Sequence, residues 1–203
     1  AGAGTFDRKV SDFATINKIS GLEFLSCIPG TIGGAIKMNS RCYGTEICNI
    51  LTSIKVMDFN GNIKEIKNNQ IKFNYRNCDL PNDLIILSAT FEGKPSSFQK
   101  IKDKQKELIT KKKESQPGQI KTCGSTFKNI SEDEKAWKLI KEAGCEDYRV
   151  GDAMISQKHC NFFVNNGNAK SSDIENLINK VKKKVQEKTG INLELEIKIV
   201  GEK

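Results

Sequence analysis

The hydrophobic pattern changes its period near residue 95, and this change constrains the fold more than any other feature of the chain. Over residues 50–59 apolar and polar residues mostly alternate, and Asn60-Gly61 separates this run from a second one over 63–66. An Asn-Gly pair between two such runs is the strongest short signal for a β-hairpin. Beyond residue 95, apolar residues recur on one face of a helix: Phe98, Ile101, Leu108 and Ile109. The chain is therefore predicted to combine strands and helices in an α+β fold.

The length of 203 residues is enough for one to two domains, and the change of pattern sets the boundary between them. We predict a first domain over 1–95 and a second over 96–203, in which a helix at about 98–114 serves as a connector. The alternating residues 193–199 predict a final strand whose outward face carries Glu196.

The charge balance favours a solvated lysine surface over a nucleic-acid binder. Lys and Arg number 33 against 25 acidic residues, a net charge of +8, and only four of the basic residues are Arg. Nucleic-acid binders use Arg forks and aromatic platforms, yet only three Tyr and one Trp are present. Attraction of an anionic, phosphorylated substrate stays open. No apolar run approaches the ~18 residues that a membrane helix needs, which excludes a transmembrane segment.

Seven cysteines are present at irregular spacing, with no Cys-x-x-Cys and a single histidine, His159. That pattern excludes the zinc-finger spacings and predicts no metal site. An odd count of this kind is typical of reduced thiols in a cytosolic compartment. A catalytic cysteine stays an alternative, although only His159 could serve as its base.

A glycine-rich stretch, Pro29 to Gly34, allows a close approach of the backbone. Its N–H groups could cradle a phosphate, or the glycines could serve a tightly packed turn; both interpretations stay open. It matches neither the phosphate loop that ends in Gly-Lys-Ser/Thr nor the dinucleotide fingerprint.

Three polar residues are candidates for chemistry, each with a structural alternative. Arg76 follows an aromatic residue and could hold an anionic or enolic oxygen, or form a surface salt bridge. Ser125, beside a glycine, could donate a proton or belong to a turn. Glu196 is solvated unless a pocket faces it. A Ser-His-Asp hydrolase is disfavoured because Gly-x-Ser-x-Gly is absent.

Taken in order, the motifs form a specific set that covers essentially the whole chain. They are Gly21-Leu22-Glu23-Phe24-Leu25, Ile28 to Ala35, Met38-Asn39, Tyr75-Arg76, Gln116-Pro117, Gly124 to Asn129, Gly151-Asp152-Ala153, Ser156, Lys158-His159, Asn161-Phe162 and 196–202. This set resembles the UDP-N-acetylenolpyruvoylglucosamine reductase family.

The resemblance implies a flavoenzyme of peptidoglycan precursor synthesis. Its fold would be the second half of an FAD-binding domain of the vanillyl-alcohol-oxidase type, followed by an α+β substrate-binding domain. NADPH, the co-substrate, would reduce bound FAD, and the enolpyruvyl UDP-sugar would then take a hydride and become UDP-N-acetylmuramate. The implied enzyme is a monomer of the bacterial cytoplasm that serves the cell wall, and so cell shape and division, and that binds neither nucleic acid nor membrane.

The resemblance also implies roles for individual residues. Arg76 and Glu196 would stabilise the enol-like intermediate, and Ser125 would protonate it. Hydride addition leaves negative charge beside a carboxylate. A fixed cation stabilises this new charge, and a nearby hydroxyl can neutralise it by donating a proton. The implied substrate contacts are Tyr75, Lys128, Asn129 and Asn161. The implied FAD contacts are Pro29, Gly30, Ile32, Gly33, Gly34 and Asn39.

The chain departs from the family pattern in three respects. The pattern begins before Ala1, with an earlier flavin subdomain, so this chain is expected to lack part of the FAD site. Arg41 stands where the family usually has glycine, and lysines at 111–113 stand where it often has arginine. No insertion follows Tyr75-Arg76, as in the shorter, second type of the family, which lacks a tyrosine-bearing substrate loop.

Two rival functions stay open at this stage. One keeps the flavin fold but changes the substrate, because fold does not determine chemistry. The other is a non-catalytic, lysine-rich protein that binds anions or RNA, which a steep salt dependence of RNA binding would support.

Overall fold

The computed structural model describes residues 1–118 and 120–201. The chain divides into two compact units, Ala1–Lys112 and Lys113–Lys203, each with its own apolar core. Both units mix helices with antiparallel strands, as the predicted α+β class requires.

The α-helices of the described residues are numbered in chain order. They are α1 (Asp7–Ile16), α2 (Ile32–Lys37), α3 (Phe98–Ser115), α4 (Ala136–Glu142) and α5 (Ser171–Thr189). Three short 3₁₀ helices lie at Glu23–Cys27, Ile47–Asn49 and Asn68–Gln70. None of the described helices combines the length and the apolar character that crossing a bilayer requires.

The strands are likewise numbered in chain order. In the first unit they are β1 (Ile19–Ser20), β2 (Arg41–Cys42), β3 (Thr45–Glu46), β4 (Leu51–Met57), β5 (Ile63–Lys67), β6 (Phe73–Asn74), β7 (Asn77–Cys78), β8 (Ile85–Phe91) and β9 (Lys94–Pro95). In the second unit they are β10 (Lys121–Ser125), β11 (Arg149–Val150), β12 (Ala153–Ser156) and β13 (His159–Asn165).

The central sheet of the first unit has the strand order β5-β4-β8, and all its pairs are antiparallel. The predicted hairpin is confirmed, because β4 pairs with β5 across the turn at Asn60-Gly61. Asp58 accepts hydrogen bonds from the backbone N–H groups of Asn60 and Asn62, both at 2.9 Å, and Gly61 has φ +86°. The alternation holds in the second half of β4, where Ile54 and Val56 are buried while Lys55 is exposed, but it is interrupted at Ser53, which is buried next to Ile54.

Helix α3 lies where the sequence predicts a helix, and its buried face belongs to the first unit. Ile101 and Leu108 are buried, and Gln105 donates from Nε2 to the hydroxyl of Ser11 at 2.8 Å. Because these residues pack in the first unit, the two compact units divide after Lys112, later in the chain than the boundary we predict near residue 95. The boundary near residue 95 stays a prediction about the two domains that the resemblance implies.

The second unit is a four-stranded antiparallel sheet in the order β10-β13-β12-β11, covered by α4 and α5. Apolar side chains of the helices meet those of the sheet in its core, among them Phe127, Ile140, Ile155 and Val181. This packing holds β10 and β13 side by side, and these strands lead into the segments that carry the candidate residues of the unit.

The predicted closing strand over 193–199 is wrong as a regular strand. The structure has only an isolated antiparallel bridge there, between Phe127 and Leu195. Leu193 is buried, as the alternation predicts, but Ile199 is 52% exposed. The reason is that the described part of the chain offers this segment a partner only over 126–128, which is too short to extend a ladder.

Candidate active site

The glycine-rich stretch leads into the short helix α2, whose first backbone N–H groups bond to the start of the chain. Ile32 N donates to Thr5 O at 3.0 Å, and Gly33 N donates to Ala3 O at 2.9 Å. These carbonyls saturate two of the N–H groups that a helix start leaves open. The two N–H groups are therefore committed to the fold rather than held out toward a phosphate.

The glycines of this stretch differ in their surroundings: Gly33 packs against the start of the chain, whereas Gly30 and Gly34 are exposed. A Cβ at Gly33 would lie 3.2 Å from the Cβ of Ala3, so the glycine permits the close approach of that segment. At Gly34 an added Cβ would meet only Thr31 Oγ1, at 3.8 Å. Pro29, Gly30 and Gly34 are exposed. The tight-packing interpretation holds for Gly33, while the others leave an open backbone surface.

A buried carboxyl group lies beside Gly30 without a hydrogen-bond donor among the described residues. Asp7 is only 1% exposed, and no described residue donates to either of its carboxyl oxygens. Its Oδ2 lies 3.4 Å from where a Cβ on Gly30 would stand, and its backbone N–H donates to Gly30 O at 3.1 Å. Burial raises the pKa of the Asp7 carboxyl from 3.8 to about 6. Nothing in the sequence around Asp7 signals this burial.

The Asp7→Asn variant is expected to be more stable than the parent chain above about pH 7, by on the order of 2–3 kcal/mol at roughly 1.4 kcal/mol per pKa unit. A carboxyl whose pKa is raised on folding stabilises the fold below its unfolded pKa and loses that contribution as pH rises through about 6. The advantage of the variant should therefore vanish by about pH 4. Urea unfolding followed by circular dichroism at about pH 8 and pH 4 measures it.

The matched control is Asp83→Asn, because Asp83 is exposed. It should leave the free energy of unfolding unchanged at both pH values. An Asp7→Asn variant that behaves like this control would contradict the account of Asp7 as a buried, unsatisfied carboxyl.

Among the residues predicted to contact FAD, the exposed ones suit that role better than the buried ones. Pro29, Gly30 and Gly34 are exposed and so are accessible to a bound molecule. Ile32, by contrast, is fully buried in the core. Contact of each of these residues with FAD stays a prediction.

Asn39, the sixth residue predicted at the FAD, is 2% exposed and bonds to protein on all sides. Its Nδ2 donates to Glu46 Oε2 at 2.9 Å and to Asn74 O at 3.3 Å, and its Oδ1 accepts from Cys48 N at 3.1 Å. Its φ of +41° is one that asparagine tolerates better than most residues. Asn39 thus ties the turn after α2 to the hairpin that carries Arg76.

Arg76 lies in the tight turn of the β6–β7 hairpin, with Tyr75 beside it. Its φ is +56°, which is rare for a long side chain and costs on the order of 1 kcal/mol. The guanidinium carbon stands 5.4 Å from the centre of the Tyr75 ring, within cation–π range. The turn therefore holds the guanidinium against an aromatic face, and a strained residue of this kind is a reasonable functional candidate.

Ser125 ends β10 at an irregularity in the strand pairing. The register pairs Thr122 with Val164 but Ser125 with Phe162, so one extra residue is accommodated between them. Gly124 adopts φ +85°, which is typical of a bulge glycine. Bulges re-aim the side chains that follow, and Ser125 is the first residue after this one.

The segment after Ser125 is bonded directly to the segment that carries Glu196. Glu196 N donates to Thr126 O at 2.9 Å, and Lys128 N donates to Glu194 O at 2.8 Å. The side chains of Lys128 and Glu194 also form an ion pair at 3.3 Å. The structure thus brings Glu196 into hydrogen-bond contact with the residue next to Ser125.

The two predicted asparagine contacts of this unit both bond to backbone. Asn129 Oδ1 accepts from Ala136 N at 3.1 Å, where α4 begins. Asn161 is 3% exposed; its Oδ1 accepts from Phe127 N at 2.9 Å and its Nδ2 donates to Phe127 O at 2.8 Å. Substrate contact through Lys128, Asn129 and Asn161 stays a prediction. Sequence reasoning missed the part that Phe127 plays here, because its partner lies 34 positions away.

The single histidine lies in an aromatic cluster, and among the cysteines a hydrogen bond with Cys42 lowers the pKa of the Cys27 thiol. The His159 ring packs edge-on against Trp137 and Phe162, with centroids 6.4 and 4.9 Å away, and burial lowers the pKa of its imidazole. All seven cysteines are free thiols. No described cluster of His, Cys, Asp and Glu could hold a metal ion.

Two family models match the chain. The FAD binding domain matches residues 1–67, and the C-terminal domain of UDP-N-acetylenolpyruvoylglucosamine reductase matches residues 116–200. The two matches fall in the first and second units, respectively. They confirm the predicted fold class, an FAD-binding domain followed by an α+β domain.

The chain is similar to reductases of known name. It is 50% identical to the UDP-N-acetylenolpyruvoylglucosamine reductase of Pelagibacter ubique over 98% of this chain and 67% of that protein. It is 44% identical to the enzyme of that name from Rickettsia bellii, over 98% of this chain and 66% of that protein. The chain thus spans about two thirds of the length of these relatives.

A solved structure shows the same fold. The crystal structure of UDP-N-acetylenolpyruvylglucosamine reductase from Thermus caldophilus superposes with a TM-score of 0.86 at 34% identity, covering 97% of this chain and 70% of that one. Two family models, close relatives and a superposable structure agree with the order of motifs in the sequence. The chain belongs to the UDP-N-acetylenolpyruvoylglucosamine reductase family of FAD-dependent oxidoreductases.

Proposed function

We propose that this protein reduces the enolpyruvyl ether of UDP-N-acetylglucosamine to UDP-N-acetylmuramate, with NADPH as co-substrate. The observation that carries the proposal is the 50% identity over 98% of the chain to a reductase of that name. FAD, held at the glycine-rich stretch, would supply the hydride-transfer chemistry that links NADPH to the enolpyruvyl group. The product is a precursor of peptidoglycan, so we place the reaction in the bacterial cytoplasm, catalysed by a monomer and serving cell shape and division.

The glycine-rich stretch is the proposed FAD surface. Exposed backbone at Pro29, Gly30 and Gly34 supports direct contact. Gly33 acts by letting the segment at Ala3 approach, and Ile32 anchors α2 in the core. Asn39 holds the turn after α2. Gly33, Ile32 and Asn39 are thus proposed to support the FAD surface through the fold, whereas the resemblance implies that they contact FAD directly.

Arg76 is the proposed electrostatic stabiliser of the intermediate. Hydride addition to the enolpyruvyl double bond leaves negative charge next to the substrate carboxylate. A guanidinium stays charged at every physiological pH and presents its donors in a fixed fork. The guanidinium of Arg76 lies against the Tyr75 ring in a tight hairpin turn, and a charge placed before the reaction is effective against a developing anion. Tyr75 itself is 40% exposed, which supports its proposed contact with substrate.

Ser125 is the proposed proton donor. A serine hydroxyl is a very weak acid, so it can serve only because the carbanionic carbon is far more basic. The proton passes from Oγ of Ser125 to that carbon, and solvent restores it. Placement directly after a bulge supports the role, because a bulge aims one side chain away from the regular pleat.

Glu196 is proposed to act on the same intermediate as Ser125. The backbone N–H of Glu196 donates to Thr126 O, and Thr126 is the residue directly after Ser125. Lys128 and Asn129 follow on the same segment, which supports their proposed contact with the anionic UDP-sugar.

Product analysis tests the proposal. The protein at its natural full length, loaded with FAD, should convert the enolpyruvyl UDP-sugar in the presence of NADPH into a product heavier by two hydrogen atoms. Leaving out NADPH should abolish the product. If NADPH is consumed but the enolpyruvyl compound is returned unchanged, the flavin fold serves another substrate and the proposal fails.

A further inference from the structure

The amide side chain of Asn161 occupies the place of a neighbouring strand. In an extended segment, the N–H and C=O of one residue point to the side opposite those of its neighbours. At Phe127 both groups point to Asn161, at 2.9 and 2.8 Å. On the other side of the same segment, Thr126 O and Lys128 N bond to the segment that carries Glu196.

This arrangement follows from the place where β10 ends. Pairing with β13 resumes after the bulge, with Ser125 opposite Phe162, but Ser125 is the last residue of β10, so Phe127 lies beyond the regular ladder. Phe127 is fully buried, and buried backbone polar groups without partners are strongly disfavoured. Asn161, itself in β13, satisfies both groups with one side chain, and its own carbonyl accepts from Thr126 N at 2.7 Å.

We propose that Asn161 is a positioning residue of the reductase, which fixes the Thr126–Lys128 segment and thereby the placement of Ser125 and Glu196. Its two side-chain bonds hold the segment from one side, while Glu194 and Glu196 hold it from the other. The inference rests on the proposed function. It replaces direct substrate contact as the role of Asn161, because the amide that would make such contact is committed to Phe127.

The test compares Asn161→Ala with Asn165→Ala in the FAD-loaded, full-length protein. Asn165 lies on the same strand and also bonds to backbone, at Gly167 and Ala169, but in a turn that carries no proposed active residue. Asn161→Ala should slow the return of oxidised flavin absorbance on addition of the enolpyruvyl UDP-sugar by roughly ten- to a hundredfold, the range that a small misplacement of reacting groups produces. Bleaching by NADPH should be unchanged. Asn165→Ala should affect neither step.

Two further measurements keep the test decisive. Asn161→Ser adds no buried charge and keeps a neutral hydroxyl, so it should fold even where the alanine variant does not and should show a slowing no larger than that of the alanine variant. The loss should appear in kcat rather than KM, since a residue that contacts substrate would raise KM. Exchange of the Phe127 amide proton should accelerate in Asn161→Ala and not in Asn165→Ala.

The outcomes separate this inference from the proposed function. Unchanged exchange at Phe127, or flavin return no slower than in Asn165→Ala, overturns the positioning role. An effect on KM alone restores direct substrate contact. If the parent protein itself shows no flavin return with the enolpyruvyl UDP-sugar, the proposed function fails, while Phe127 exchange still reports whether Asn161 holds the segment.

Discussion

Replacing Ser125 with alanine is expected to slow protonation of the intermediate by roughly 10²- to 10⁴-fold, the usual contribution of a positioned general acid. The net return of oxidised flavin absorbance should slow with it, because hydride addition is drawn forward by that protonation. The alanine side chain is smaller and sits after a bulge that the glycine at 124 forms, so the backbone should keep its course. Bleaching of the flavin by NADPH does not involve this hydroxyl and should keep its parent rate. Stopped-flow absorbance on the FAD-loaded, full-length protein separates the two steps.

Ser172→Ala is the control for this variant, because Ser172 is exposed near the start of α5. Both flavin steps should proceed in it at the parent rate. Should Ser125→Ala also leave both steps unchanged, Ser125 is not the proton donor. Equal slowing of both steps would instead indicate damage to the flavin site.

Replacing Arg76 with methionine is expected to cost roughly 10²- to 10³-fold in the same substrate-dependent step, comparable to losing one preorganised donor to a developing anion. Methionine replaces the unbranched aliphatic part of the side chain and must adopt the same positive φ, so the change removes charge and donors without relieving the turn. The rate of Arg76→Lys should lie between those of the parent protein and Arg76→Met, because an ammonium group keeps the charge but lacks the paired N–H donors of the guanidinium. Single-turnover rates at saturating enolpyruvyl UDP-sugar measure the loss.

Arg149→Met provides the comparison at an exposed arginine of the second unit, in β11. It removes the same charge from the protein and should leave the step unaltered, which separates a local effect from long-range steering. An Arg76→Met variant as fast as Arg149→Met would remove Arg76 from the chemistry. So would a loss that disappears entirely at high salt, because screening weakens exposed charges but not a direct contact.

Local features of the fold were predictable from sequence because their causes are local. The β4–β5 hairpin follows from Asn60-Gly61 and from alternating burial in the second half of β4, both of which lie within one short segment. Helix α3 follows from an apolar face of period 3.6. The closing strand failed because alternation alone does not provide a partner, and only 126–128 pairs with it in the part of the chain that is described.

The candidate site was predictable as a set of motifs but not as a set of contacts. Tyr75, Arg76 and Ser125 stand out through their place in the ordered motifs, and both segments turn out to have unusual backbone, a positive φ and a bulge. The roles of Asn39 and Asn161 depend on partners 35 and 34 positions away, which no spacing rule anticipates. Asp7 is hidden for the same reason, since its burial beside Gly30 is a tertiary effect.

The visible absorption of the FAD-loaded, full-length protein under anaerobic conditions tests the central claim most directly. NADPH should bleach the flavin band, and one equivalent of the enolpyruvyl UDP-sugar should then restore it, whereas UDP-N-acetylglucosamine, which lacks the double bond, should not. Restoration by the enolpyruvyl compound alone is the result predicted here. A band that stays bleached after its addition would contradict the assignment of this protein as the reductase of that substrate.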